Sequence, residues 1–202
     1  MKILEDITEE QVTHMFIKQQ MGSFRFAEEM QQIMDQLGVE KKIIDNPNFK
    51  DQNENELRIK LRQSFGGSND EGHFFDNFPK NILWKRTLLA KNDLMTVKYI
   101  NYDYWNELSN GTRLVLEGAS SIRKGVEIFG QSNQKFWDAL DSLKKGVKFP
   151  EPILITKNIS SDIVVVEGHL RLTVYLLDSL YTPKETEAII GFSESFKNWD
   201  MY

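Results

Sequence analysis

The sequence predicts an α+β protein in which a small mixed sheet with flanking helices follows an N-terminal helical extension. Two observations predict this class. Residues 7–37 carry apolar side chains at helical spacing, and the second half of the chain places short β-branched runs between further helical segments. We therefore expect a helical extension over residues 1–50 and one α+β domain over residues 51–202.

Composition and charge narrow the class of protein. Of the 202 residues, 40% are hydrophobic, which is typical of a folded chain, and the net charge of −5 offers no overall basic field for nucleic acid. The lack of cysteine excludes disulfides, thiolate catalysis and thiolate metal sites. No apolar run is long enough to span a bilayer, and the N-terminus lacks the apolar core of a signal peptide. We expect a soluble cytoplasmic protein with no membrane partner.

Two helices are predicted in the extension, over residues 7–20 and 23–37. Thr8 ahead of acidic residues is typical of a helix start, and Gly38 is typical of a helix stop. The second helix carries a methionine-rich apolar face, which either packs a core or binds a partner. A homodimer formed through these helices is therefore one hypothesis.

The α+β domain is predicted to begin within a polar connector over residues 44–55. A short basic helix, "ENELRIKLRQSF", comes first and ends in the loop "GGSNDEG". The later elements are predicted, in chain order, as the strands "ILWKRTLL" and "LMTVKYI" around the turn "AKND", two helical pieces parted by Asn110 and Gly111, the helix "SNQKFWDALDSLKKG", the strands "ILITK" and "IVVVE", a helix from Leu170 and the strand "TEAIIGF".

The stretch "VVVEGHLRLTVYLL" holds the residues best suited to chemistry. Its β-branched run predicts a buried strand that ends at Glu167, and Leu170 begins a helix with an apolar stripe. The helix macrodipole places partial positive charge at the helix start, Gly168 lets a ligand approach the backbone, and Arg171 adds a bidentate guanidinium. This turn is therefore predicted to hold an anion, most naturally a phosphate.

Each residue of this turn also has a structural interpretation. Gly168 could serve the tight turn alone, His169 could be a surface histidine, and Arg171 could pair with an exposed carboxylate. Glu167 would repel a phosphate unless a metal ion or a proton lies between them. It is therefore either a metal ligand or general base, or a carboxylate that turns away to cap the helix.

A longer pattern surrounds this turn. The segments "ILITKNISSDIVVVEGHLRLTVYLL" and "TEAIIGF" present a strand, a Gly-(His or Glu)-x-Arg turn, a helix and a further strand. In this pattern the last quarter of the chain resembles the ParB/sulfiredoxin-like superfamily, which includes the ParB-like nuclease domain. The matching residues are Glu167, Gly168, His169 and Arg171, with Thr173 inside the helix. A wider pattern, "LWKR…VKYINYDYWNELSNGTRLVLEGASSIRKG…EGHLRLT…GFSESFKNW", is similar to that of a bacterial branch of the superfamily without an assigned activity.

The resemblance implies that the turn grips the phosphates of a nucleotide through Gly168, His169 and Arg171. Members of the superfamily bind and hydrolyse CTP, use ATP, phosphorylate free serine or resemble nucleases. Two departures narrow this range. Sulfiredoxin chemistry requires a cysteine, which this chain lacks, and too few residues follow the helix for the DNA-reading segment of partition proteins. We therefore expect neither sulfiredoxin activity nor a role in chromosome partition.

A second group of aromatic and basic residues lies in "YINYDYWNELSNGTRLVLEGASSIRKG". Its aromatic rings, Trp105 among them, could stack a base, and Arg113 and Arg123 could contact phosphates. The alternative is that Trp105 packs a helix while the arginines are solvated.

No dedicated metal site is expected. The three histidines, His14, His73 and His169, are scattered without the spacing of metal ligands. A magnesium ion could still arrive with a nucleotide (ATP, ADP or CTP) and contact Glu167 or Glu117, because this ion keeps most of its waters.

The predicted function is binding of a nucleotide or another phosphate-bearing ligand, with phosphoryl transfer or hydrolysis if the protein is an enzyme. In that case Glu167, His169 and Arg171 would be catalytic. Two alternatives stay open: a nuclease or nucleic-acid-binding protein that uses the same turn, and a non-catalytic interaction protein that retains the fold. The predicted ligand contacts are Gly168, His169, Leu170, Arg171, Thr173, Arg113 and Arg123.

Overall fold

The computed structural model describes residues 1–66 and 73–202, and it shows an α+β fold with a small mixed sheet. The chain forms two compact units. Residues Ile7–Lys80 make up the helical unit, and residues Met1–Asp6 together with Asn81–Tyr202 make up the sheet unit. Among the described residues, no helix combines the length and the apolar character needed to cross a membrane.

The helical unit contains α1 (Glu9–Met21), α2 (Ala27–Leu37), α3 (Lys42–Asp45) and α4 (Gln52–Gln63). Thr8 caps α1 as predicted, because its hydroxyl accepts from the backbone N–H of Gln11 and the Gln11 side chain accepts from the backbone N–H of Thr8. Gly38 ends α2, also as predicted. The predicted loop "GGSNDEG" falls largely on residues 67–72, which lie outside the described residues.

The helical unit extends further along the chain than the predicted boundary at residue 50. Helix α4 packs on α1 within this unit, where Arg62 donates to the hydroxyl of Thr13 at 3.0 Å and forms an ion pair with Glu9. Conversely, strand β1 (Lys2–Asp6) lies in the predicted extension but belongs to the sheet unit. Residues 51–80 therefore belong to the helical unit and residues 1–6 to the sheet unit, which differs from the predicted domains. The difference arises because packing follows contacts that are distant in sequence.

The sheet has five strands in the order β1-β2-β5-β3-β4. Besides β1, these are β2 (Leu83–Ala90), β3 (Ile153–Thr156), β4 (Val164–Glu167) and β5 (Glu185–Phe192). Strand β3 runs parallel to β5, and the other neighbouring pairs are antiparallel. All of β3 and the first three residues of β4 are buried, which explains the apolar runs over residues 153–155 and 164–166.

Helices cover this sheet and close its core. They are α5 (Lys91–Leu94), α6 (Asp103–Leu108), α7 (Val115–Arg123), α8 (Gln134–Lys144), α9 (His169–Leu177) and a 3-10 helix (Glu194–Asn198). Helix α8 confirms the prediction from "SNQKFWDALDSLKKG", and both α7 and α8 pack on α9. Every residue of α9 from Leu172 onward is buried, so α9 is the central helix of this unit.

The segment "LMTVKYI" does not form the predicted strand. Helix α5 occupies the predicted turn before it, and at Lys98 the backbone makes isolated bridges rather than a continuous ladder. Tyr99 is nevertheless fully buried. The prediction was wrong because an apolar, β-branched run indicates burial, and here an irregular backbone between α5 and α6 provides that burial.

Candidate functional site

The turn predicted to hold a phosphate lies between β4 and α9. Its geometry follows from its sequence, because β4 ends at the half-buried Glu167 and α9 begins directly after Gly168. The N–H of Leu172 donates to the carbonyl of Gly168 at 3.0 Å, which starts the helical hydrogen bonding. Since Gly168 has no side chain, the N-cap position itself offers no capping acceptor against the positive end of the macrodipole.

Gly168 is required here by both backbone conformation and space. Its φ of 105° lies in the region that favours glycine. A Cβ at this position would lie 3.0 Å from the Cβ of Pro152 and 3.2 Å from Nε of Arg171. The close approach that the glycine permits in this structure is therefore between α9 and the segment before β3.

Arg171 faces that same segment. Its Nη1 donates to the carbonyl oxygens of Pro150 and Glu151, both at 3.0 Å. Its Nη2 donates to Oε1 of Glu167 at 2.8 Å. Only 11% of the side chain is exposed, and burial lowers the pKa of the guanidinium while the nearby Glu167 carboxylate opposes that shift. Arg171 stays charged at neutral pH and fastens the turn to the chain ahead of β3.

Glu167 forms an ion pair with Arg171, four residues along the chain. The sequence interpretations of Glu167 were a metal ligand, a general base or a helix cap, and this contact is different from all three. Its side chain is 20% exposed, so the pair is largely shielded from water. The carboxylate balances the guanidinium charge inside the turn.

Trp105 of α6 forms an aromatic platform on which the rings of His169 and Tyr99 both stack. The imidazole stacks on the indole with ring centroids 5.1 Å apart and planes 11° apart, and Tyr99 stacks on the indole at 4.4 Å and 18°. The imidazole and phenol centroids are 6.3 Å apart. Two rings on opposite faces of the indole would be separated by about twice 3.5 Å, so both rings lie on one face of Trp105.

Tyr99 connects this platform to α7 and α9 through its contacts with Gly118 and Thr173. Its hydroxyl shares a hydrogen bond of 2.6 Å with the hydroxyl of Thr173, which donates to the carbonyl of His169 at 2.7 Å. Burial raises the pKa of the Tyr99 phenol. Gly118 of α7 packs against the ring so closely that a Cβ there would lie 2.5 Å from the phenol oxygen. Thr173, a predicted ligand contact, is completely buried, and its contact with His169 is this hydrogen bond to the main-chain carbonyl.

Arg113, another predicted phosphate contact, donates to main-chain carbonyls. Its Nε and Nη2 donate to the carbonyl of Tyr99 at 3.0 and 2.7 Å. Its Nη1 donates to the carbonyl of Tyr202 at 2.8 Å and its Nη2 to that of Met201 at 3.2 Å. Burial lowers the pKa of this guanidinium. In this structure Arg113 holds the C-terminal residues against the sheet unit.

Arg123 lies at the other end of α9 from Gly168. Its Nη1 donates to the carbonyls of Leu176 and Leu177 at 2.7 and 3.1 Å. These carbonyls belong to the last turn of α9, whose acceptors have no partner within the helix itself. Arg123 therefore lies away from the turn at Gly168, although both were predicted to contact the same ligand.

The structure brings together the five consecutive residues Glu167, Gly168, His169, Leu170 and Arg171, with Thr173 beneath them. Leu170 packs against the hydrophobic core of the sheet unit, so a ligand contact from it would involve its backbone. Within residues 1–66 and 73–202, no group of three or more His, Asp or Glu side chains is placed to hold a metal ion.

Sequence reasoning missed three participants in the site: Tyr99, Pro150 and Glu151. Tyr99 belonged to a predicted strand, and no structure or role was predicted for the "FPEP" segment that contains Pro150 and Glu151. Comparison with protein families, with curated proteins and with solved structures found no match for this chain. The residues of the turn therefore carry what can be inferred about its chemistry.

Proposed function

We propose that this protein binds a phosphate-bearing ligand, in the first instance a nucleotide, at the start of α9. The observation that carries the proposal is the helix start at Gly168 beside the stacked rings of His169 and Trp105. A helix start attracts an anion through its macrodipole. Stacked rings at the same turn provide a flat surface that suits a planar base. A nucleotide combines these two chemical features.

Binding is better supported than catalysis. Arg171 is already bonded to two carbonyls and to Glu167, so its role in the proposal is to fix the turn. The backbone at the start of α9 and the imidazole of His169 would contact the ligand. Glu167 would serve as a base or a magnesium ligand only after its ion pair with Arg171 opened. Magnesium would then enter with the nucleotide.

The order β4, turn, α9 and β5 supports the proposed kinship with the ParB/sulfiredoxin-like superfamily. In that kinship the residues from Gly168 to Arg171 correspond to the turn that grips nucleotide phosphates. We place the protein in the cytoplasm as part of the same proposal, because nucleotides are available there.

A second candidate is a non-catalytic interaction protein that keeps the fold. One observation favours it: Arg113, Arg123 and Arg171 all donate to main-chain carbonyls. Arginines bonded in this way stabilise the fold and leave fewer cations for a phosphate. The helical unit would then provide the surface that binds a partner, and the partner to test first is a second copy of this chain in a homodimer.

Calorimetric titration with ATP, ADP, CTP and GTP in the presence of magnesium tests the first candidate. We expect saturable heat with at least one nucleotide. A His169→Ala variant should raise its Kd about tenfold, because a stacked base contributes roughly 1–3 kcal/mol. His73→Ala is the matched control, because this exposed histidine lies in the helical unit and should leave the Kd unchanged.

The outcomes separate the candidates. No heat with any nucleotide would exclude the first candidate, and a concentration-dependent dimer in the same samples would then favour the second. Equal weakening by His169→Ala and His73→Ala would show that the ligand binds away from α9.

A further inference from the structure

A cleft of about 490 Å³ opens in the sheet unit at the C-terminal end of α9. It is lined by residues of α5, α7, α8 and α9 and by the segment that follows α9. Small-molecule sites commonly have volumes of about 300–1,000 Å³. Nine helical residues span about 13 Å, so α9 separates this cleft from the proposed phosphate site at its other end.

The floor of the cleft is apolar. Leu140, Leu176 and Leu177 line it and are otherwise buried in the core. Met95 and Trp137 also line it, and each is 37% exposed. An indole and a thioether left exposed beside buried leucines form a surface on which an apolar ligand could pack.

Three cations line the same cleft, and each comes from a different helix. They are Lys91 at the start of α5, Arg123 at the end of α7 and Lys144 at the end of α8. The Nη1 of Arg123 is fixed by the carbonyls that end α9. Helix C-termini favour cations through the macrodipole, so α7 and α8 stabilise the positive charges of Arg123 and Lys144 at these positions.

The two lysines have only weak contacts of their own. Lys91 donates to the carbonyl of Ser179 at 3.5 Å. Lys144 lies 4.0 Å from the carboxylate of Asp141, which is 67% exposed, and its Nζ lies 5.6 Å from the centroid of the Tyr181 ring. Contacts of this length at an exposed site leave both ammonium groups able to meet an incoming anion.

One carboxylate, that of Asp178, also lines the cleft. Its Oδ1 accepts from the backbone N–H of Leu180 at 3.0 Å, so this oxygen is turned toward the loop after α9. Three cations and one carboxylate give the cleft a net positive charge of two. The wall therefore attracts an anion, while the floor takes an apolar group.

We propose that this cleft binds a small amphiphilic anion, a carboxylate head on an apolar body. The carboxylate lies among Lys91, Arg123 and Lys144, and the apolar body packs on Trp137 and Met95. This site is independent of the proposed phosphate site, because it uses the opposite end of α9 and none of the residues of the turn.

Decanoate is the probe, and the indole N–H resonance of Trp137 is the readout. The chain has four tryptophans, and a Trp137→Phe variant identifies the signal. We expect decanoate to shift this resonance saturably while the resonances of the buried Trp84 and Trp199 stay in place. Decyltrimethylammonium, which has the same chain and the opposite charge, should not saturate the site.

Two neighbouring lysines provide a matched pair of variants. Lys144→Glu should raise the Kd for decanoate about tenfold, because it replaces an attraction with a repulsion. Lys145→Glu makes the same charge change at an exposed residue that does not line the cleft, and it should alter the Kd by less than about twofold. Equal effects of the two variants, equal binding of the cationic probe, or an unmoved Trp137 resonance would each overturn the proposal.

Discussion

An Arg171→Ala variant is expected to lower the free energy of unfolding of the sheet unit by about 3 kcal/mol. The substitution removes the bonds to the carbonyls of Pro150 and Glu151. It also removes the cation beside Glu167, whose carboxylate stays largely buried. Amide hydrogen exchange in β3, β4 and α9 measures the loss, and exchange roughly a hundredfold faster is the expected result.

Variants at Glu167 separate charge from hydrogen bonding. Glu167→Gln can still accept from Arg171, so the expected loss is about 1 kcal/mol. Alanine at both positions should cost less than the sum of the two single alanine variants, because neither charge is left behind. If Arg171→Ala lowered the free energy of unfolding by less than roughly 0.5 kcal/mol, the positioning role would be contradicted. The guanidinium of Arg171 in the unsubstituted protein would then be available to the ligand.

The strand, turn and helix around Gly168 could be predicted because each has a local pattern. The buried strand β4 is a run of valines, and α9 carries its apolar residues at helical spacing. Gly168 has the positive φ that a tight turn at this point requires. The identity of these elements depends on their own residues, so sequence alone was sufficient.

Strand β1 offered no such pattern. All five residues of "KILED" are exposed, and the apolar Ile3 and Leu4 are adjacent instead of alternating. The segment becomes a strand by pairing with β2, far along the chain, with an irregular register between Ile3 and Glu5. Pairing at this distance leaves no trace in the local sequence.

The contacts of the candidate site were predictable only in part. Trp105 and the aromatic residues near it had two interpretations, stacking a nucleotide base or packing a helix, and in this structure the indole of Trp105 stacks on the imidazole of His169. The carbonyl partners of Arg171 are some twenty residues upstream. Every residue has a carbonyl, so its residue type does not indicate that an arginine will bond to it.

The same reasoning applies to Arg58, which the sequence placed only in a short basic helix. Its side chain is completely buried in the helical unit. Nη1 donates to the carbonyl of Ile43 at 2.8 Å and pairs with Glu54 at 3.2 Å, and Nη2 donates to the carbonyl of Asn48 at 3.3 Å. The predicted polar connector between α3 and α4 is therefore held by a buried guanidinium.

An Arg58→Ala variant is expected to lower the free energy of unfolding of the helical unit by about 3 to 4 kcal/mol. The loss arises because two main-chain carbonyls and the carboxylate of Glu54 lose this donor inside the unit. Amide hydrogen exchange in α1 and α4 should accelerate by more than about a hundredfold.

Lys60→Ala is the matched control, since this residue lies on the same helix and is exposed. Its expected effect is within about 0.5 kcal/mol. Arg58→Lys should recover only part of the stability, because one ammonium cannot reproduce the planar set of donors that reaches Ile43, Asn48 and Glu54 together. Since the carbonyl of Ile43 lies in α3 and that of Asn48 in the connection from α3 to α4, exchange should rise first in α3 and in this connection. An increase confined to α2 would contradict the role of Arg58 in holding that connection.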